Sequence, residues 1–179
     1  MIKNILLIGF FALFSLSVYA KSGINIFAYS RPAPQTPVYT PAEQAISLEN
    51  FKGEFILVMF WSRTCAPCIR ELDDINAFVN KTRNTGIKVM LVSDAGEWKS
   101  LSEQRNLLQK YKAPDVDFYT DKNGKLAGDF GVFSYPHTVM VDQSGEEIGR
   151  ISGSVDWDDD DVIEYIYKLK AKYGQGNDE

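Results

Sequence analysis

Alternating apolar and polar positions divide most of the chain into candidate strands and helices. The apolar run 55–61 is short and lies between polar residues, as expected for a strand that is buried on both faces. Beyond it, apolar residues recur at helical spacing as far as Gly86, a residue type that commonly ends a helix. These apolar residues are Ile69, Leu72, Ile75, Phe78 and Val79. The pattern predicts a strand followed by an amphipathic helix.

The same alternation continues for a further strand, helix and strand. Apolar segments at 87–92 and 116–119 predict two strands, and the turn residues Asn123-Gly124 follow the second. A helix between the two strands is marked by apolar residues at helical spacing, namely Trp98, Leu101, Leu108 and Tyr111. The central part of the chain is therefore predicted to have the order β-α-β-α-β.

The last part of the chain predicts a hairpin and a closing helix. Residues 138–141 and 148–151 form adjacent antiparallel strands around the turn 142–145. The closing helix begins in the acidic run 158–161, where negative charge suits the helix dipole. Its apolar face carries Val162, Ile166 and Leu169.

The N-terminal residues have the organisation of a secretory signal. Lys3 precedes the uncharged run 5–18, and a cleavage site can be placed after Ala20. The alternative is a membrane anchor that stays attached, but the run is shorter than the roughly 20 residues that span a bilayer as a helix. We therefore expect a signal peptide at 1–20 and export to the periplasm.

Composition sets the remaining boundaries. Proline is concentrated in 21–43, which favours an extended linker or strap over a helix or central strand. We expect one domain at 44–173 and a flexible tail at 174–179. The 19 basic and 24 acidic residues give a formal charge of −5 without any basic cluster, so nucleic acid is not an expected partner.

The two cysteines, Cys65 and Cys68, are the only ones in the chain and lie where the strand 55–61 gives way to the helix. Residues three apart on a helix share a face, and the helix N-terminus stabilises a thiolate. Cys65 is therefore predicted to be the nucleophile and Cys68 the resolving thiol. Pro67 is compatible with this position because the N–H groups of a first helical turn have no partner.

Two other uses of the cysteine pair are less well supported by the sequence. A purely structural disulfide would close a very small ring, which removes little entropy from the unfolded chain. A zinc site would require further ligands beyond the two cysteines and one histidine. We expect no metal, and no cofactor other than the redox-active Cys65–Cys68 pair.

Several short motifs accompany the cysteine pair, namely Ser47-Leu48, Lys52-Gly53, Phe60-Trp61 and, within the helix, Glu71. With these motifs and Cys65-Ala66-Pro67-Cys68, the sequence resembles the exported TlpA/ResA branch of the thioredoxin superfamily. Residues 97–119 are similar to the insertion that marks this branch. The resemblance implies an α/β, thioredoxin-like fold, in which a central mixed sheet is flanked by helices and carries an inserted helix-strand unit.

The resemblance also implies a function. Members of this branch reduce protein disulfides outside the cytoplasm, often in apocytochrome c during cytochrome c maturation, with electrons from a membrane-bound donor. We expect such a thiol-disulfide oxidoreductase, acting as a monomer. A disulfide oxidase or isomerase and a copper(I)-binding assembly factor remain alternatives.

Further site residues follow from the resemblance. Tyr135-Pro136 matches the cis-proline loop of the family, which offers backbone groups to a substrate peptide. Trp61, Ala66 and Pro67 complete the expected substrate-binding surface. His137, the only histidine, is given no catalytic role.

Glu71 matches an acidic residue of the ResA-like proteins. A partly buried carboxylate there would have a raised pKa and could shuttle the proton of Cys68. The alternative is a solvated glutamate that pairs with Arg70 or another neighbour. Two positions depart from the family, since Thr64 replaces a tryptophan and Met59 occupies the place of the buried aspartate of cytosolic thioredoxin.

Overall fold

The central strand of the sheet is β4 (Phe55–Phe60), and every one of its residues is buried. The computed structural model describes residues 23–174, so the expected signal peptide and residues 175–179 of the expected tail lie outside it. The other strands are β1 (Gly23–Pro32), β2 (Val38–Tyr39), β3 (Ala45–Ile46), β5 (Ile87–Asp94), β6 (Phe118–Asp121), β7 (His137–Val141) and β8 (Glu146–Ser152). The helices are α1 (Ala66–Lys81), α2 (Leu101–Lys110), α3 (Lys125–Phe130) and α4 (Asp160–Tyr173).

The eight strands in the described part of the chain form one mixed sheet in the order β1-β8-β7-β4-β5-β6-β2-β3. The strand β4 pairs in parallel with β5 and antiparallel with β7, and β5 pairs in parallel with β6. This arrangement of a mixed sheet and flanking helices confirms the α/β, thioredoxin-like fold. Among residues 23–174, none of the helices has the length and apolar character needed to cross a membrane.

Alternate residues of β4 supply two hydrophobic cores, one on each face of the sheet. Leu57 and Met59 face the core that contains α1, α2 and α4, whereas Val58 and Phe60 face the core that contains α3. Because successive side chains of a strand point to opposite faces, a strand covered on both sides needs apolar residues throughout. This requirement explains the uninterrupted apolar run.

The described part of the proline-rich segment, residues 23–43, does not form a linker, and this prediction from the sequence was wrong. Its residues 23–32 form β1, which pairs antiparallel with β8 at one edge of the sheet, and Val38–Tyr39 form β2 at the other side. Proline is tolerated at the end of an edge strand because the ladder there needs no further N–H donor. The structured domain therefore begins before residue 44.

A buried carboxylate fixes β1 to β8. The side chain of Glu147 is 2% exposed, and its two oxygens accept hydrogen bonds from Arg31 Nε at 2.9 Å and Arg150 Nε at 2.6 Å. Arg150 also donates to the carbonyl of Phe130. Paired charges of this kind avoid the cost of an isolated buried ion.

Three local predictions also needed revision. The third predicted strand lies two residues later, at Phe118–Asp121, and the turn Asn123-Gly124 leads into α3, which the pattern did not indicate. A helix of six residues is too short to show a clear period. In α4 the buried face also carries Ile163, and Val162 is only partly buried against the same core.

Replacing Gly149 by Ala tests the docking of β1. A methyl group at Gly149 would lie 2.6 Å from the backbone oxygen of Asn25, so β1 would have to move away from β8. We expect the free energy of unfolding in urea to fall by about 1–3 kcal/mol, as for other overpacked sites. Gly128→Ala is the matched control, because within residues 23–174 no atom outside its own stretch of α3 lies within 4 Å of the added methyl group. Equal stability of the two variants would contradict the packing of β1 described here.

Candidate active site

A tight turn at the end of β4 brings the first cysteine to the start of α1. The N–H of Cys65 donates to the carbonyl of Ser62 at 3.1 Å. Within the turn, Ser62 Oγ accepts the N–H of Thr64 at 3.2 Å. Because β4 is buried in the middle of the sheet, this turn has a fixed starting point.

Cys65 occupies the N-cap position of α1, and its sulfur takes the place of a capping oxygen. Cys65 Sγ accepts a hydrogen bond from the N–H of Cys68 at 3.3 Å. Pro67, in the first turn, removes an N–H that a helix leaves unpaired. The two cysteines form a disulfide, with Cα atoms 5.3 Å apart. Negative charge on Cys65 Sγ would be stabilised here by the helix dipole and by this N–H group.

The two cysteines differ in their exposure to solvent. Cys68 is 2% exposed and packs in the core, whereas Cys65 is half-buried and the adjacent Ala66 is exposed. A substrate can therefore approach Cys65 but not Cys68. This difference agrees with the roles that the sequence predicts for the two thiols.

The loop before β7 meets the cysteine pair from the other side. The Tyr135–Pro136 peptide bond is cis, as the resemblance implied. Register explains the proximity, since His137 of β7 lies opposite Phe60, the last residue of β4. Tyr135 is 37% exposed. His137 is half-buried, and burial together with the positive charge of Arg150 lowers its pKa.

Glu71 is buried, which removes the alternative of a solvated glutamate. Its side chain lies in the second turn of α1, is only 6% exposed, and accepts the N–H of Val155 at 3.1 Å. Burial raises the pKa of Glu71, and hydrogen bonds from Ser154, Val155 and Trp157 offset only part of that effect. Glu71 and Cys68 line the same small cavity of about 10 Å³, which Pro136 also lines.

Trp61 does not belong to a substrate-binding surface, in contrast to the expectation from the sequence. It is 2% exposed, and its ring packs against Trp98 with 5.6 Å between ring centroids. Trp61 continues the pairing of β4 with β5, because its backbone N–H donates to the carbonyl of Val92 at 3.0 Å. The tryptophan is thus part of the core beneath the turn. Met59, in the same strand, is also buried.

A group of polar residues that contact the turn was not predicted from the sequence. Arg63 donates hydrogen bonds to the carboxylates of Glu97 and Glu103. Its guanidinium lies over the ring of Trp98, with 5.1 Å from the guanidinium carbon to the ring centroid. The partners are 34 and 40 residues away from Arg63 along the chain, so no local pattern could reveal the contact.

The pH dependence of stability tests the burial of Glu71. A carboxyl whose pKa is higher in the folded state binds more protons there, so wild-type stability should fall as pH rises from the ordinary pKa of 4.5 through the raised one. Glu71→Gln should lack this loss and become relatively more stable across that window, measured by urea unfolding of the disulfide form. Glu164→Gln, which changes an exposed carboxylate, controls for net charge. A constant difference between Glu71→Gln and wild type over the window would contradict the raised pKa.

Comparison with known proteins agrees with the geometry. A ResA thiol-disulfide oxidoreductase of Bacillus thuringiensis is 27% identical over 141 residues, which cover 78% of this chain and 77% of the relative. A DsbE thiol:disulfide interchange protein of Allochromatium vinosum is 27% identical over 153 residues, covering 82% and 77%. The thioredoxin domain of a thiol-disulfide oxidoreductase from Bacteroides vulgatus superposes with a TM-score of 0.65 at 20% identity, covering 80% of this chain and 99% of that one.

The last of these similarities supports the fold, and the first two are consistent with the ResA-like branch. The family model that matches is that of the AhpC/TSA family, over residues 29–146, which is more than half of the chain. The chain therefore belongs to the AhpC/TSA family and has its thioredoxin-like fold.

Proposed function

We propose that this protein is a thiol-disulfide oxidoreductase that acts on protein disulfides outside the cytoplasm. The observation that carries the proposal is the arrangement of the cysteine pair, with Cys65 accessible at the N-terminus of α1 and Cys68 buried behind it. The curated relatives, which bear the names of thiol-disulfide oxidoreductases, support the same activity.

In the reduced protein, the thiolate of Cys65 attacks one sulfur of a substrate disulfide. A mixed disulfide forms between Cys65 and the substrate, and the second substrate sulfur leaves as a thiolate and takes up a proton. Cys68 then loses its proton and attacks Cys65 Sγ, which releases the first substrate sulfur. The substrate gains two electrons and two protons, and the pair becomes the disulfide seen in the structure.

Glu71 is suited to the proton transfer of the second step. Cys68 has to lose its proton in a buried place, and Glu71 lines the same small cavity as Cys68. Because burial raises the pKa of Glu71, this group binds a proton more readily than an exposed glutamate does. We propose that Glu71 accepts the proton of Cys68 when the mixed disulfide is resolved.

The substrate peptide would lie between the start of α1 and the cis-proline loop. Ala66 and Pro67 follow Cys65 on one side, and Tyr135 and Pro136 lie in the loop just before β7 on the other. Exposed or half-buried side chains at these positions permit contact with an extended chain. Trp61 has no part in this surface.

The direction proposed is reduction, with apocytochrome c as a substrate and a membrane-bound electron donor that restores the thiols. This part of the proposal follows from the resemblance to the TlpA/ResA branch. Export to the periplasm, expected from residues 1–20, would place the protein where such substrates acquire disulfides.

Cys68→Ser should trap substrates as mixed disulfides on Cys65. Without the resolving thiol the second step cannot occur, so covalent complexes should accumulate and disappear on treatment with dithiothreitol, as seen on non-reducing gels. Cys65→Ser is the matched control and should trap far less, because Cys68 is buried. Equal trapping by both variants, or trapping only by Cys65→Ser, would refute the assigned roles.

The reduction potential of the Cys65–Cys68 pair tests the direction. Equilibration with glutathione or dithiothreitol buffers should give a value close to that of thioredoxin, about −270 mV, if the protein is a reductant. A value close to that of the oxidant DsbA, about −120 mV, would contradict the proposed direction and favour an oxidase.

A further inference from the structure

The segment that begins with Glu97 holds the turn that precedes the cysteine pair. Arg63 is the second residue of the turn 62–65, and its backbone N–H donates to Glu97 Oε2 at 2.8 Å. Its guanidinium Nη1 donates to the carbonyl of Glu97 at 3.1 Å and to Glu103 Oε1 at 2.8 Å. Three hydrogen bonds thus connect one turn residue to the inserted helical unit. We call Arg63, Glu97 and Glu103 the turn clamp.

The turn clamp is partly shielded from water. The side chains of Arg63 and Glu103 are 33% and 30% exposed, and the guanidinium lies over the ring of Trp98. Trp98 is itself fixed, because its Nε1 donates to Ser93 Oγ at 2.8 Å at the end of β5 and its ring packs on Trp61. The arginine therefore rests on a rigid support, and its planar group suits stacking and bonding at the same time.

Hydrogen bonds at the start of α2 fix the orientation of Glu103 independently of Arg63. Its N–H donates to Ser100 Oγ, the N-cap of α2, at 3.2 Å, and its Oε2 accepts the N–H of Lys99, the residue before the N-cap, at 2.9 Å. The backbone N–H of Lys99 and the hydrogen bond from Arg63 lower the pKa of Glu103, so the carboxylate is ionised. The start of α2 thus presents a fixed negative group to the turn.

The position of Cys65 Sγ depends on the turn. In the disulfide form the bond to Cys68 holds the sulfur in place, but in the reduced form only the hydrogen bond from the N–H of Cys68 and the backbone and side-chain torsions do so. The thiolate is stabilised by the N-terminus of α1 only while Sγ remains in the capping position. The hydrogen bonds of the turn clamp restrict the backbone conformations of the turn in the reduced form.

We propose that Arg63 is a positioning residue, and that the turn clamp promotes ionisation of Cys65 by keeping its sulfur at the N-terminus of α1. This inference rests on the proposed function, and it adds residues of the inserted unit to those that control the reaction. Through Arg63, the segment 97–103 acts on Cys65 without contacting the substrate.

The direction in which Glu103→Ala shifts the pKa of Cys65 distinguishes a positioning role of Arg63 from a simple effect of its charge. If Arg63 acted only through its positive charge, Glu103→Ala would leave that charge uncompensated and lower the pKa of Cys65. If Arg63 acts by holding the turn, the same change removes one of the three hydrogen bonds of the turn clamp, loosens the arginine and raises the pKa of Cys65. The two roles therefore predict opposite shifts.

The test uses the reduced protein with Cys68→Ser, so that the thiolate absorbance in the ultraviolet reports Cys65 alone. We expect Arg63→Ala and Glu103→Ala each to raise the pKa of Cys65 toward that of free cysteine, about 8.5. Arg63→Lys should give an intermediate value, because lysine cannot reproduce the planar hydrogen bonds. The control is Arg105→Ala in α2, whose guanidinium lies over Phe118 and not at the turn. Urea unfolding identifies any variant that is not folded.

Three results would overturn the proposal. They are an unchanged pKa of Cys65 in folded Arg63→Ala, a lowered pKa of Cys65 in Glu103→Ala, or a pKa of Cys65 in Arg63→Lys that equals the value with arginine. If either alanine variant does not fold, Arg63→Lys and Glu103→Gln provide the test, and both should raise the pKa. Trapping of substrates by Cys68→Ser remains an independent readout. If Cys68→Ser traps substrates normally while substitutions in the turn clamp leave the pKa of Cys65 unchanged, this inference is rejected and the proposed function stands.

Discussion

The contact between the N–H of Cys68 and the sulfur of Cys65 is the interaction on which the site depends. At 3.3 Å it places a sulfur where most helices have a capping oxygen. It requires a helix that begins at residue 66 and a turn that leaves β4 in one direction. The buried strand β4 fixes where the turn begins, and the turn brings Cys65 to the start of α1. Pro67 fits the first turn of the helix because the N–H that it lacks would have no partner there.

Burial then distinguishes two chemically identical groups. Cys65 meets solvent, whereas Cys68 and Glu71 lie in the core beneath it. A carboxyl group in this position opposes folding when it is ionised, because burial disfavours its charge. This cost is consistent with the proposal that Glu71 accepts the proton of Cys68, because the proposed resolution step needs a proton acceptor in the core.

Features that depend on local pattern could be predicted from the sequence. The apolar run of β4, the helix that starts at the cysteine pair and the hairpin of β7 and β8 all have short-range signals. The resemblance added the cis bond at Pro136, which no periodicity indicates. The two cysteines could be assigned to redox chemistry because a pair with this spacing, between a buried strand and a helix, is typical of thioredoxin-like proteins.

The remaining features depend on contacts between distant parts of the chain. The edge strand β1 is held through Arg31 and Glu147, which are 116 residues apart, and proline-rich composition alone favoured a linker. The burial of Trp61 follows from the pairing of β4 with β5, and the turn clamp joins residues at least 34 positions apart. Such contacts become visible only when the sheet order is known.

Alkylation of the reduced protein over a range of pH, with peptide mapping by mass spectrometry, is the decisive test of the roles assigned to the two cysteines. We expect Cys65 to be labelled first, with a pKa below the value of about 8.5 for free cysteine, and Cys68 to be labelled only when the protein unfolds. Faster labelling of Cys68, or reaction of both thiols at the rate of free cysteine, would contradict these roles.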